Sequence, residues 1–162
     1  MASNQAAQSL RALLSSATEE AARRGDRRLG TDHLLLGLLR EPGSTAPQVL
    51  GVSLAGARAT LEELDLAALA AVGIRVATAG RPEPAVFGRR LPPLTSGARA
   101  VLHRAMEESR PRKTGRLRTE HFLIALLTRD RPDPAAELLD ALGVEREQVR
   151  ARLAGAGPGG VT

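Results

Sequence analysis

The chain has 162 residues, 43% of them hydrophobic and 25% charged, with a formal net charge of +5. Folding at this size removes about 68–70% of the unfolded chain's surface from water, so a single core suffices without metal or disulfide support. The absence of cysteine excludes disulfides, thiolate metal sites and cysteine nucleophiles, and no apolar run approaches the roughly 20 residues of a membrane helix.

Aromatic residues are nearly missing, with two Phe and no Trp or Tyr. The core must therefore be Leu, Ala and Val, a palette that suits closely packed helices better than sheets. Lys113 is the only lysine among 23 basic residues. The resulting pI of about 11.2 raises nucleic acid as a partner, although 18 acids are interleaved with the arginines. The start, MASNQAAQSLRALLSSA, lacks the basic and then apolar pattern of a secretory signal. A cytoplasmic protein is the expectation.

In chain order, Leu10, Leu13, Leu14, Ala17 and Ala21 fall at i, i+3, i+4, i+7 and form the buried stripe of a first helix. Arg23 and Arg24 followed by Gly25 end it favourably. A second helix opens at Thr31, read as its N-cap, with Asp32 in the first turn. Leu34, Leu35, Leu38 and Leu39 make its inner face, Gly37 admits a close neighbour, and Glu41-Pro42-Gly43 stops it. A short third helix ends at Leu50-Gly51, and a fourth runs from Ser53 to about Glu63, with residues 66–72 adding a turn or two. Residues 73–93, rich in Gly, Pro and Arg, read as an irregular connector in which Phe87 tucks onto the repeat surface or, alternatively, anchors a partner. Four more helices are predicted at residues 96–108, 119–128, 134–142 (behind the cap Asp133) and 145–153. The plan is thus a first copy at 1–72, the connector at 73–93, a second copy at 94–154 and a disordered tail at 155–162, the two copies forming one domain.

The plan repeats because the sequence repeats. Thr31-Asp32-His33-Leu34-Leu35-Leu36-Gly37-Leu38-Leu39 returns 88 residues later as Thr119-Glu120-His121-Phe122-Leu123-Ile124-Ala125-Leu126-Leu127. At the same offset Leu13, Leu14, Ala17, Glu19 and Glu20 meet Val101, Leu102, Ala105, Glu107 and Glu108. After a four-residue insertion, Leu50-Gly51-Val52 matches Leu142-Gly143-Val144 at an offset of 92. Such a register over a whole chain is the mark of an internal duplication.

GTDHLLLGLLRE, its second copy TEHFLIALL and the Leu-Gly-Val after each resemble the double Clp repeat, whose pattern is GTEHLLLGLL followed by a short helix and a Leu-Gly turn. The resemblance spans about residues 10–153. It implies an all-α domain of two four-helix repeats about a pseudo-twofold axis, placed in that family ahead of the ATPase rings of a hexameric unfoldase, where it receives substrates and adaptor proteins. The sequence holds no GxxxxGK[ST] phosphate loop. The expectation is a free-standing, non-catalytic module without cofactor that acts in trans on Clp-dependent proteolysis as adaptor, competitor or decoy. Its partners would be Clp components, adaptors or substrates. A basic regulatory protein contacting nucleic acid is the alternative, and would gather its arginines on one face.

His33 and His121 lack a second histidine or acid at metal-ligand spacing and are expected to bond locally in the first turns of their helices. No GxSxG elbow occurs. The Thr-acid pairs are read first as helix caps. They also suit a ligand anionic at one end and cationic at the other, because helix N-termini hold phosphate and a carboxylate grips a guanidinium. In ClpC-type members the acid of this motif belongs to a phosphoarginine site. The resemblance therefore implicates Thr31 and Asp32 in the first copy, Thr119 and Glu120 in the second. Asp32 is shorter than the family's Glu, and Arg118 stands where the family has glycine, so that it either adds a phosphate contact or obstructs the approach.

Overall fold

In the computed structural model, which describes residues 2–76, 83–88, 90–110 and 116–155, two sets of four helices follow the predicted order. They are α1 (Ala2–Arg24), α2 (Thr31–Arg40), α3 (Ala46–Leu50) and α4 (Leu54–Ala71), then α5 (Ser96–Ser109), α6 (Thr119–Leu127), α7 (Pro134–Ala141) and α8 (Arg146–Gly155). Among the described residues there is no strand, only an isolated parallel bridge between Leu29 and Leu94. Residues 77–82 and 89 of the predicted connector, and 156–162 of the predicted tail, lie outside the described residues. Gly155, placed by the sequence reading in the tail, is the last residue of α8.

The centre is α2. Periodicity assigned it one inner face, but every residue from Thr31 to Leu39 is buried, Leu36 included. A helix apolar all round is a buried helix, and α2 packs on α1, α3 and α4 of its own copy and on α5, α6 and α7 of the other. Its counterpart α6 is nearly as enclosed, from His121 to Leu127 with Ile124 half-buried. Leu35 and Leu123, at matched positions, are 0% and 1% exposed. Gly37 does admit a close neighbour: a Cβ there would stand 2.9 Å from the backbone nitrogen of Ala17 on α1.

Helices of the two copies meet in exchanged pairs, α2 with α7 and α6 with α3, α4 with α7 and α8 with α3, as a pseudo-twofold axis requires. The insertion that shifts the register lies inside the third helix. The caps Thr45 and Asp133 keep the first offset, while the C-terminal glycines Gly51 (φ 67°) and Gly143 (φ 69°) already show the second. α7 accordingly has 8 residues where α3 has 5. Left-handed backbone at both positions selects glycine, which alone enters it without steric cost.

The fourth helices differ. α4 does not stop near Glu63 and restart; it is one continuous helix of 18 residues, capped by Ser53, whose hydroxyl accepts from the Gly56 N–H. α8 has 10 residues. The described part of the connector lies along the end of α1, where the Ala85 N–H donates to the Ala22 carbonyl at 2.9 Å. Phe87 is half-buried against the core, as its tucked reading expected.

Candidate functional site

The two Thr-acid-His segments open α2 and α6, but threonine caps neither helix. The cap residues are Gly30 and Arg118, both extended, and each threonine is the first helical residue. The cap is closed from within the helix: the Gly30 N–H donates to His33 Nδ1 at 2.9 Å, and the Arg118 N–H to His121 Nδ1 at 2.9 Å. Histidine thus takes the part that Glu or Gln plays in a capping box. Because Nδ1 of His33 accepts, its proton sits on Nε2, which donates to Asp26 Oδ2 at 2.8 Å. Burial raises the Asp26 pKa, but bonds from His33 and Arg24 outweigh it and hold the carboxyl below its ordinary value. Both histidines are therefore local structural groups, as expected from the sequence. Among the described residues no group of three or more His, Asp or Glu could hold a metal ion.

Thr31 is committed elsewhere. Its hydroxyl donates to Asp133 Oδ1 at 2.7 Å and accepts from the Ala135 N–H at 3.2 Å. Asp133 also caps α7 through that N–H at 3.0 Å and accepts from Arg129 Nε at 3.0 Å. Thr31 is 1% exposed and ties the start of α2 to the start of α7 in the other copy. In the first copy Thr45 holds the place of Asp133 and brings no carboxylate, and Thr119 remains half-buried.

Two clefts open at these helix starts. In the first, of about 660 Å³, the starts of α2, α5 and α7 converge, and Arg27, Arg28 and Arg129 stand on its walls. Asp32 lines it and is only 8% exposed. Among the described residues its carboxylate receives no hydrogen bond. His33 Nδ1 stands 3.5 Å from its Oδ1, but that nitrogen's lone pair already takes the Gly30 N–H. The carboxylate folds back over the cap, so that a Cβ on Gly30 would lie 2.5 Å from its Oδ1. The second cleft, of about 380 Å³, is lined by Arg118, Thr119 and Glu120 of α6 together with Ser9 of α1 and Glu41. Glu41 accepts from the Ser16 hydroxyl.

The clefts are related by the repeat. Gln8, Ser9 and Glu41 of the second stand 88 residues before Ser96, Gly97 and Arg129 of the first. The structure thus puts Thr31 with Asp32, and Arg118 and Thr119 with Glu120, in two equivalent places. Reading the motifs alone missed Arg27, Arg28, Arg129, Asp133 and Glu41; extending the 88-residue offset beyond the motif would have paired Glu41 with Arg129.

The profile of the family described as "Clp repeat (R) N-terminal domain" matches residues 5–140 and, a second time, residues 93–158. The chain belongs to the Clp repeat N-terminal domain family. Among relatives of this Clp repeat chain, Chaperone protein ClpC1, chloroplastic, of Oryza sativa subsp. japonica is 30% identical over 140 residues, 85% of this chain and 13% of that protein. The ATP-dependent Clp protease ATP-binding subunit ClpA homolog of Cyanidium caldarium is 31% identical over 140 residues, 85% of this chain and 14% of that protein. The chain thus spans 13–14% of the length of these relatives. The N-terminal domain of the caseinolytic protease associated chaperone ClpD from Arabidopsis thaliana superposes with a TM-score of 0.66 at 24% identity, covering 91% of this chain and 90% of that one, which shows the fold. Among the described residues no helix is long and apolar enough to cross a membrane.

Proposed function

We propose that this Clp repeat chain is a non-catalytic receptor module that acts in trans on Clp-dependent proteolysis and reads phosphoarginine on protein substrates at its two clefts. The observation that carries this reading is the Asp32 side chain, 11% exposed, which lines the first cleft at the start of α2 and takes no hydrogen bond among the described residues. A guanidinium would offer this solvent-facing carboxylate two parallel N–H donors. The first-turn N–H groups of α2 and the guanidinium groups of Arg27 and Arg28, which make no ion pair among the described residues, suit a phosphoryl group on the same ligand. In the second cleft Glu120 and Glu41 would take the guanidinium and Arg118 the phosphoryl group.

The placement of the other arginines also supports recognition of protein. Arg24, Arg40, Arg58, Arg104 and Arg146 are held in ion pairs spread over α1, α2, α4, α5 and α8, where a nucleic-acid face would gather them free along one side. The test is capture from a lysate of the source cells on the immobilised chain, with elution by free phosphoarginine. Arginine-phosphorylated proteins and Clp components should be released; release of neither would overturn the reading.

A further inference from the structure

His33 lies between two carboxylates, one at each ring nitrogen. Asp26 Oδ2 is 2.8 Å from Nε2 and Asp32 Oδ1 is 3.5 Å from Nδ1, while the His33 side chain is buried. The neutral ring serves only the first of them. Nε2 donates to Asp26, and the Nδ1 lone pair takes the Gly30 N–H at 2.9 Å. Asp32 is left beside a nitrogen that has no proton to give it. A ring protonated at both nitrogens could donate to both carboxylates, at the expense of the Gly30 N–H.

The surrounding charges come from three places. Asp26 also accepts from Arg24 Nε at 2.9 Å, and Arg24 reaches Asp65 of α4 at 2.8 Å. Arg27 and Arg28 of the α1–α2 turn, and Arg129, Asp130 and Asp133 from between α6 and α7, line the same cleft as the ring. Arg129 is paired with Asp133 at 3.0 Å, and Asp130 stands 3.7 Å from Arg146. Among the described residues only Asp26 and Asp32 make ion-pair contacts with the ring nitrogens.

We propose that His33 is a pH-operated clasp on Asp32. A proton from solvent at Nδ1 displaces the Gly30 N–H, and the imidazolium turns to hold the Asp32 carboxylate. Histidine is the side chain whose charge ordinarily changes between about pH 5 and 8. Asp26, held below the ordinary carboxylate value, stays charged over that range and anchors the far side of the ring. The functional consequence rests on the receptor reading of the cleft: a carboxylate clasped by an imidazolium is closed to a guanidinium, so the first cleft releases its ligand as pH falls.

Nuclear magnetic resonance of the His33 ring nitrogens and the Gly30 amide, on the full chain from about pH 8 to pH 5, tests this. In the parent, proton arrival at Nδ1 and the change at the Gly30 amide should follow one curve. Asp32→Asn removes an anion that favours the imidazolium, so the curve should move to lower pH. His33→Gln keeps a cap acceptor at the third helical position and should melt as the parent does at about pH 8. That variant should bind phosphoarginine equally at about pH 8 and pH 6, where the parent loses affinity several-fold. A ring that stays neutral throughout, a Gly30 amide that ignores the ring, a curve unmoved by Asp32→Asn, or equal binding by the parent at both pH values would each overturn the proposal. No phosphoarginine binding at any pH would instead overturn the receptor reading, and the ring and amide curves alone would then decide the clasp.

Discussion

The two copies share a sequence plan and a fold but secure their first helices by different means. In the first copy the Glu20 side chain, 1% exposed, accepts from Arg58 Nε at 2.9 Å and from Arg40 Nη1 at 3.2 Å, so that α1, α2 and α4 are joined by one buried carboxylate. In the second copy Glu108, at the matched position, pairs among the described residues only with Arg104 of its own helix, at 2.7 Å and partly in solvent. Arg150, the counterpart of Arg58, donates instead to the Leu127 carbonyl at 2.9 Å. Glu and one arginine recur at the repeat positions, but Thr128 stands where the first copy has Arg40, so a buried three-helix tie in one half becomes separate bonds in the other. A duplicated sequence carries over most residue types, and one replaced partner with the local packing decides what the rest bond.

The largest effect should be common to both halves. Leu35→Asp or Leu123→Asp places an unpaired charge in the shared core, a loss of about 4 kcal/mol or more that should abolish cooperative melting. A variant that melted like the parent would show that one of the two Leu-rich helices is misplaced. The next effect should separate the halves. Glu20→Ala strands the partly exposed Arg58 guanidinium and leaves Arg40 with Glu19 alone, and should lower the free energy of unfolding in urea by about 2–3 kcal/mol. Glu108→Ala, at an exposed pair, should change it by less than about 1 kcal/mol. Equal losses would erase the difference drawn between the copies.

Smaller again, Gly37→Ala forces α1 away from α2 and should destabilise by about 1–2 kcal/mol, although Ala125 occupies the same position in α6 and is fully buried. Acid should reveal the first copy's carboxylates more gently. Burial raises the Glu20 pKa, but its bonds from Arg58 and Arg40 outweigh burial and hold it below the ordinary 4.5; Asp26 is likewise held below 3.8. A carboxyl depressed on folding contributes stability that is present above its unfolded value and lost as pH falls through the folded one. The melting temperature of the parent should therefore fall more steeply below about pH 4.5 than that of Glu20→Gln.

Much of this was legible in the residues. The 88-residue offset set out two four-helix copies, the stripe from Leu10 to Ala21 gave the inner face of α1, and Gly37 declared its close contact. What the sequence hid was non-local. Thr31 reads as a cap because capping is a local pattern, but its partner Asp133 lies 102 residues away. Periodicity gave α2 one inner face because it cannot show that the second copy closes over the other side. The burial of Glu20 but not Glu108 goes with the loss of one partner, since Thr128 stands at the repeat position of Arg40, but that Arg58 reaches Glu20 while Arg150 bonds the Leu127 carbonyl is set by packing. At the candidate site, both Thr-acid pairs were visible as motifs, while the cleft walls at Arg27, Arg28, Arg129 and Glu41 come from other segments that only the fold assembles.

Isothermal calorimetry with phosphoarginine is the most direct measurement of the receptor reading, made on the parent and on three variants of the cleft residues. The parent should bind phosphoarginine more tightly than arginine or phosphoserine, since neither of those satisfies both the helix start and the carboxylate. Glu120→Ala should weaken binding by about 1.5–3 kcal/mol. Asp32→Glu should strengthen the first cleft if carboxylate reach limits it, and Arg118→Gly shows whether that side chain helps or obstructs the second. No heat with phosphoarginine from the parent, and none from the Asp32→Glu, Arg118→Gly double variant, would contradict the reading and leave both clefts as consequences of helix packing alone.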